Sequence, residues 1–155
     1  MSVVSNFSRL LKVPSETEEF AASLARLCKI GDVLLLYGEV GAGKTTFARG
    51  FIETIAGMQE EIVSPTFTLV QTYPFSDDGT VWHYDLYRLQ NVAELVELGF
   101  EEAIERGIVL VEWPEIARHI LPETSLYIKL SIEGDGRKAI VAGAVVAWGE
   151  RLKNL

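Results

Sequence analysis

The sequence predicts an α/β fold, with a mixed, mainly parallel central sheet flanked by helices. Two runs without a charged residue, at 33–37 and 108–111, are typical of strands buried on both faces of a parallel sheet. Segments with the apolar spacing of helices alternate with these strands, which is the pattern of the α/β class. No linker or repeat divides the 155 residues, so we expect one domain spanning 1–155.

The first half of the chain begins with residues 1–15, which predict an edge strand. An amphipathic helix follows, with Ser15 as its expected N-cap and Gly31 as its end. After the strand at 33–37, residues 44–55 predict a second helix, which Gly57 closes.

The second half combines β-like segments with one acidic helical stretch that begins at Asn91. The β-like segments are at 68–75, 80–84, 125–132 and 137–148. The first two flank Ser76-Asp77-Asp78-Gly79, a turn typical of a β-hairpin. We therefore expect a few antiparallel additions to the parallel sheet.

Composition argues against two classes of function. The chain has 14 basic and 22 acidic residues and a net charge of −8, so we expect no strong direct binding of nucleic acid. Its longest uncharged apolar stretch, 139–148, is too short to span a bilayer. The single cysteine, Cys28, can form no internal disulfide, which fits a cytoplasmic protein. Alone, the chain is expected to be a monomer or to self-associate weakly.

The clearest motif is the glycine loop, which we define as residues 38–45. Its residues follow the pattern G-x-x-x-x-G-K-T and are Gly38, Glu39, Val40, Gly41, Ala42, Gly43, Lys44 and Thr45. Between a buried strand and a helix start, such a loop points backbone N–H groups at a phosphate. Lys44 would reach the β and γ phosphates, and the Thr45 hydroxyl would bind Mg²⁺. The sequence therefore predicts a P-loop NTPase fold that binds ATP and Mg²⁺.

Such a site also needs a carboxylate at the carboxyl end of a neighbouring strand. Glu112 follows the fully apolar run 108–111, so we assign it the metal. Asp85 follows the alternating run 81–84 and is assigned water positioning, general-base action or further support of the metal. Which of the two lies nearer the metal stays open at this point.

Three further side chains bear on the same chemistry. Thr66, in the Ser-Pro-Thr-Phe segment, is a candidate to fold onto the γ-phosphate as switch loops do, although this segment is equally typical of a simple turn. His83 is expected to make a structural hydrogen bond, because phosphoryl transfer from ATP to water requires no histidine. Arg88 is the candidate for an arginine finger within the chain.

Motifs spread over most of the chain resemble one family. They lie at 38–47, 49–51, 64–70, 83–89, 94–95, 98–99 and 111–115. Their order resembles the TsaE family, the bacterial P-loop ATPase of tRNA threonylcarbamoyladenosine biosynthesis, over about residues 15–137. The resemblance implies an ATPase that acts on the TsaB–TsaD pair, which modifies the adenosine next to the anticodon, and not on tRNA directly.

The resemblance also implies roles for particular residues. Nucleotide, metal or hydrolysis roles fall on Lys44, Thr45, Thr46, Asp85 and Glu112. Regions around Pro14 and from Asp135 to Arg137 correspond to those that approach the adenine in the family. Trp113 corresponds to a family tryptophan that serves packing or partner contact. Glu39-Val40 stands where many members carry Asp-Leu.

Two other functions would use the same loop. A small-molecule kinase usually carries an arginine-rich lid, and after Glu112 the chain offers the widely spaced Arg118 and Arg137. A nucleotide-switched binding module, in which hydrolysis matters little, stays open because it needs the same phosphate-binding residues.

Overall fold

A seven-stranded sheet forms the centre of the protein. A computed structural model describes residues 4–57, 62, 65 and 69–155. The strands of these residues are β1 Val4–Leu11, β2 Val33–Tyr37, β3 Val70–Pro74, β4 Thr80–Asp85, β5 Gly107–Glu112, β6 Leu126–Glu133 and β7 Gly136–Ala144. They pair in the order β1-β7-β6-β2-β5-β4-β3. The edge strand predicted at the start of the chain is confirmed as β1.

The sheet is mainly parallel, as predicted. Strands β6, β2, β5 and β4 pair in parallel, whereas β3, β7 and β1 are joined by antiparallel pairing. Five of the seven strands consequently point the same way. The two uncharged runs form β2 and β5, and β5 is buried along its whole length. The predicted α/β class and the two central strands are therefore confirmed.

Helices cover parts of both faces of the sheet. They are α1 Pro14–Ala25, α2 Lys44–Ala56, α3 Val92–Glu97, α4 Phe100–Arg106 and α5 Glu150–Leu152. The side chains of α1 and α2 bury one face together with Leu34 and Leu110, while α3 and α4 bury the other with Leu35 and Tyr84. No helix of the described ranges is both long and apolar enough to cross a membrane.

The start of α1 differs from the prediction. Ser15 is not the N-cap, because the helix already begins at Pro14 and Val13 precedes it in an extended conformation. Proline suits the first helical position, since its fixed φ is helical and it has no N–H to leave unpaired. The Lys12 N–H instead donates to Glu16 Oε1 at 3.3 Å.

The acidic stretch forms two helices where one was expected. Asn91 does begin it, and its Oδ1 accepts a hydrogen bond of 2.8 Å from the Ala93 N–H. The break lies at Gly99, whose φ of +80° is left-handed and ends α3 before α4 begins. Glu97, Glu101 and their acidic neighbours in α4 are exposed, whereas Glu94 in α3 is half-buried.

The last residues of the chain fold back onto the start of β2. Strand β7 ends at Ala144, earlier than predicted, and a π-helical turn at Val145–Gly149 follows. This turn buries Trp148, whose Nε1–H donates to the Thr124 carbonyl at 2.8 Å. Arg151 then pairs with Asp32 through contacts of 2.6 and 3.1 Å. The C-terminal turn is thereby attached to the residue that precedes β2.

Candidate functional site

The glycine loop and the two predicted carboxylates meet at one edge of the sheet. The glycine loop follows β2, and Asp85 and Glu112 end the parallel strands β4 and β5, where their Cα atoms are register partners. Carboxyl ends of parallel strands are the usual place for ligands in α/β proteins. A pocket of about 450 Å³ opens there. Its lining residues are Glu39, Val40, Gly41, Gly43, Lys44, Thr45, Thr46, Asp85, Tyr87, Glu112, Trp113 and Arg137.

The glycine loop has the strand–loop–helix geometry predicted for it. Gly43 immediately precedes α2 with a φ of +102°, a conformation that favours glycine. The first N–H groups of α2 have no acceptor within the helix and lie at the pocket. Gly38 and Ala42 support the loop from behind: Ala42 is in the core, and a Cβ on Gly38 would lie 2.6 Å from the Leu130 carbonyl oxygen.

Lys44 is buried at the base of the loop, with 7% of its surface exposed. Its Nζ donates to the carbonyl of Gly38 and, at 3.3 Å, to that of Glu39, and it lies 3.7 Å from the centre of the Trp113 ring. Burial lowers the pKa of Lys44, while the negative charges of Glu112 and Asp85 oppose this shift. The ammonium thus has neutral direct partners and lies where an anion would be attracted.

The two carboxylates are buried and individually oriented. Asp85 and Glu112 are only 4% and 3% exposed. Asp85 ends a strand that is less exposed than its alternating sequence indicated, because both faces of β4 are covered: Val81 packs with α1 and α2, and Tyr84 packs with α3 and α4. The Asp85 Oδ1 accepts from the Tyr87 N–H at 3.0 Å. Glu112 Oε2 lies 2.7 Å from His83 Nε2, which identifies the partner of the hydrogen bond expected for His83.

The oxygen atoms at this edge suit a magnesium ion that arrives with phosphate. In the described part of the chain, no cluster of three or more Asp, Glu, His or Cys residues could hold a metal on its own. Mg²⁺ commonly takes one or two carboxylates and completes its octahedron with water and substrate phosphates. Thr45, Asp85 and Glu112 all line the pocket and carry oxygen ligands, so they fit this partial set.

A second, smaller cleft of about 130 Å³ adjoins the glycine loop. It is lined by Leu11, Lys12, Val13, Pro14, Thr17, Gly43, Thr46, Asp135, Gly136 and Arg137. Arg137 lines both cavities, and its Nε–H donates to the Gly41 carbonyl at 3.1 Å. The regions that the resemblance relates to the adenine therefore lie together, although Pro14 and Asp135 are far apart in sequence.

The sequence indicated no function for Tyr87 and left the function of Trp113 open. Their rings lie 4.9 Å apart at the pocket, and Tyr87 is 59% exposed. Trp113 has a φ of +54°, which is uncommon for a residue with a side chain. An aromatic residue shortly after each strand-terminal carboxylate was the available signal for both of them.

Two candidates stay predictions. Thr66 lies outside the described residues, so its role at the γ-phosphate stays a prediction. Arg88 is exposed and does not line the pocket. Its assignment as a finger acting within the chain also stays a prediction.

Comparison with known sequences gives one consistent family. The sequence model of the family described as "Threonylcarbamoyl adenosine biosynthesis protein TsaE" matches residues 11–140 of this chain. The tRNA threonylcarbamoyladenosine biosynthesis protein TsaE of Rickettsia felis is 42% identical over 129 residues, covering 83% of this chain and 75% of that protein. The protein of the same name from Bacillus subtilis is 39% identical over 135 residues, covering 85% and 82%.

A solved structure agrees with the sequence comparison. The crystal structure of YdiB from Bacillus subtilis superposes with a TM-score of 0.82 and 28% identity, covering 99% of this chain and 96% of that one. The chain therefore belongs to the TsaE family of tRNA threonylcarbamoyladenosine biosynthesis.

Proposed function

We propose that the chain is the ATP-binding and ATP-hydrolysing subunit of the tRNA threonylcarbamoyladenosine machinery. In this proposal it acts on the TsaB–TsaD complex and not on tRNA directly. One observation carries the proposal: the glycine loop, Lys44, Asp85 and Glu112 all line the same pocket at the carboxyl edge of the parallel strands. That combination is what phosphoryl transfer from a nucleotide requires.

Triphosphate binding would use the loop and the start of α2. The free N–H groups of the first helical turn and the helix dipole favour a phosphate at this point. Lys44 would exchange its carbonyl partners and the Trp113 ring for phosphate oxygens, a stronger interaction for a buried ammonium. The adenine would occupy the smaller cleft near Pro14, Asp135 and Arg137.

Hydrolysis would use the two carboxylates and the Thr45 hydroxyl. A bound Mg²⁺ would neutralise negative charge on the phosphates. We assign Thr45 and Glu112 as ligands of the metal and its waters. Asp85 would accept a hydrogen bond from the attacking water and orient it, with its own carboxylate held by the Tyr87 N–H. The reverse division between Asp85 and Glu112 is distinguished by the variants below.

The partner part of the proposal is supported by family membership and by charge. A net charge of −8 disfavours direct contact with tRNA phosphates. A protein of this pathway with such a charge would reach tRNA through other proteins. The TsaB–TsaD pair is the partner that the family resemblance implies.

The proposal is tested by measuring phosphate release from Mg-ATP by the chain alone and with the purified TsaB–TsaD pair. We expect slow release alone and faster release with the pair. Glu112→Gln and Asp85→Asn should both reduce kcat, while the variant that also weakens Mg²⁺ binding identifies the metal ligand. Fast release that the pair leaves unchanged would contradict partner activation, and no release in either mixture would contradict the ATPase assignment.

The same reagents separate the two alternative functions. Variants that bind ATP without hydrolysing it, yet still support tRNA modification by the pair, would favour a nucleotide-switched module. Transfer of the γ-phosphate to an added small-molecule acceptor, in place of release to water, would favour a kinase.

A further inference from the structure

A buried hydrogen bond joins His83 to Glu112 beneath the pocket. His83 is in β4, two residues before Asp85, and its register partner on β5 is Leu110. Its side chain therefore reaches diagonally across the parallel pair to the residue that ends β5. The His83 Nε2 and Glu112 Oε2 atoms lie 2.7 Å apart, and the two side chains are 1% and 3% exposed. Solvent thus has almost no access to this contact.

The direction of the hydrogen bond depends on the tautomer of the ring. An ionised carboxylate only accepts hydrogen bonds, and beside one Nε2 carries the hydrogen and donates it to Oε2. A donor on one oxygen restricts rotation of a side chain that otherwise has three free torsions. Among the described residues no donor contacts the other oxygen, Oε1, and Glu112 lines the pocket. The bond therefore holds one oxygen and leaves the other available to a ligand.

The second ring nitrogen shows that stability alone does not account for this histidine. With the hydrogen on Nε2, Nδ1 of a neutral ring is an acceptor. Nδ1 is buried and has no hydrogen-bond partner among the described residues. A buried acceptor without a donor weakens folding, whereas an apolar side chain of similar size would avoid that loss. Its N–H toward Glu112 is what distinguishes His83 from such a side chain.

We propose that His83 is a positioning residue that orients the Glu112 carboxylate toward the metal and the reacting phosphate. This inference rests on the proposed function, because it assigns a task to Glu112 within that site. His83 itself lines neither cavity and acts through Glu112. Replacement of a side chain that orients a metal ligand or a general base in this way commonly changes activity or metal affinity.

The test compares two amides of different reach in the full chain. In His83→Gln the amide nitrogen lies near the position of Nε2 and can still donate to Glu112. In His83→Asn the amide lies near the position of Nδ1 and is too short to reach it. We expect His83→Asn to lower kcat for ATP hydrolysis, or the affinity for Mg²⁺ at saturating nonhydrolysable ATP analogue, by about 10- to 100-fold. The KM for ATP should change little, and His83→Gln should restore most of the loss.

Controls separate orientation from a loss of folding. Both variants are assayed below their melting temperatures, measured by circular dichroism, and the exposed His119→Asn serves as a matched substitution. In a Glu112→Ala background, His83→Asn should cause no further loss, because no carboxylate remains for His83 to orient. Additive losses, or a His83→Asn variant equal to the unsubstituted chain in both kcat and Mg²⁺ affinity, would overturn the proposal.

The two proposals fail in different ways. If the unsubstituted chain hydrolyses no ATP with or without the TsaB–TsaD pair, the proposed function fails, while the Mg²⁺ titration still tests His83. If hydrolysis is present but insensitive to His83→Asn, and Mg²⁺ affinity is insensitive too, only the positioning role fails.

Discussion

Replacement of Gly50 by alanine tests how closely α1 and α2 approach each other. A Cβ on Gly50 would lie 2.5 Å from the Glu18 carbonyl oxygen and 2.8 Å from its Cα. These are backbone atoms of α1, so no side-chain rotation relieves the overlap and the helices must separate. Overpacking of this kind costs about 2–3 kcal/mol, at the upper part of the usual range. Alanine returns about 1 kcal/mol through its better helix propensity.

The expected net effect is a loss of about 1–2 kcal/mol in the free energy of unfolding. For a chain of this size, that corresponds to a fall of about 2–8 °C in Tm. Urea and thermal denaturation followed by circular dichroism measure both values. Arg49→Ala is the matched control, because its contact with Glu18 is exposed and 3.8 Å long. A Gly50→Ala protein as stable as the original, or more stable, would mean that propensity dominates and would refute the close contact.

Three further predictions concern the pocket. Lys44→Met should abolish binding of an ATP analogue, measured by calorimetry. It should not lower the Tm of the free protein, because burial disfavours the ammonium. The control Lys29→Met, at an exposed position, should change neither value. The affinity for the ATP analogue should be constant near neutral pH and should fall as the pH rises through the pKa of Lys44, which lies below the ordinary 10.5. An affinity that stays constant up to pH 10.5 would contradict this prediction. Arg137→Ala removes the hydrogen bond to Gly41 and should weaken analogue binding about 2- to 12-fold, whereas the exposed Arg26→Ala should not.

Local sequence was sufficient for the parts of the fold that depend on local chemistry. The uncharged runs identified β2 and β5 because a strand covered on both faces is apolar at successive positions, whereas a half-covered strand alternates. Asn91 was recognisable as a helix start because its side chain satisfies an N–H two residues later. The prediction of Ser15 as the N-cap was wrong, because the helix already begins at the proline before it.

Contacts between distant residues were beyond such reasoning. The bond from Arg137 to Gly41 joins residues 96 positions apart, and that from His83 to Glu112 joins residues 29 apart. Both depend on which strands become neighbours and on their register, which no local pattern specifies. The alternation of β4 likewise did not indicate that both of its faces are covered, with Val81 in one cluster of buried residues and Tyr84 in the other.

The place of β2 in the sheet has a consequence for synthesis of the protein. Its neighbours are β5 and β6, which begin only at Gly107 and Leu126. A ribosome therefore releases the glycine loop well before it releases the strands that flank β2. Domains generally fold as units once their contacts are present. The nascent chain thus completes its candidate site late, and under the proposed function, capture of ATP during translation would mark a chain whose sheet is nearly complete.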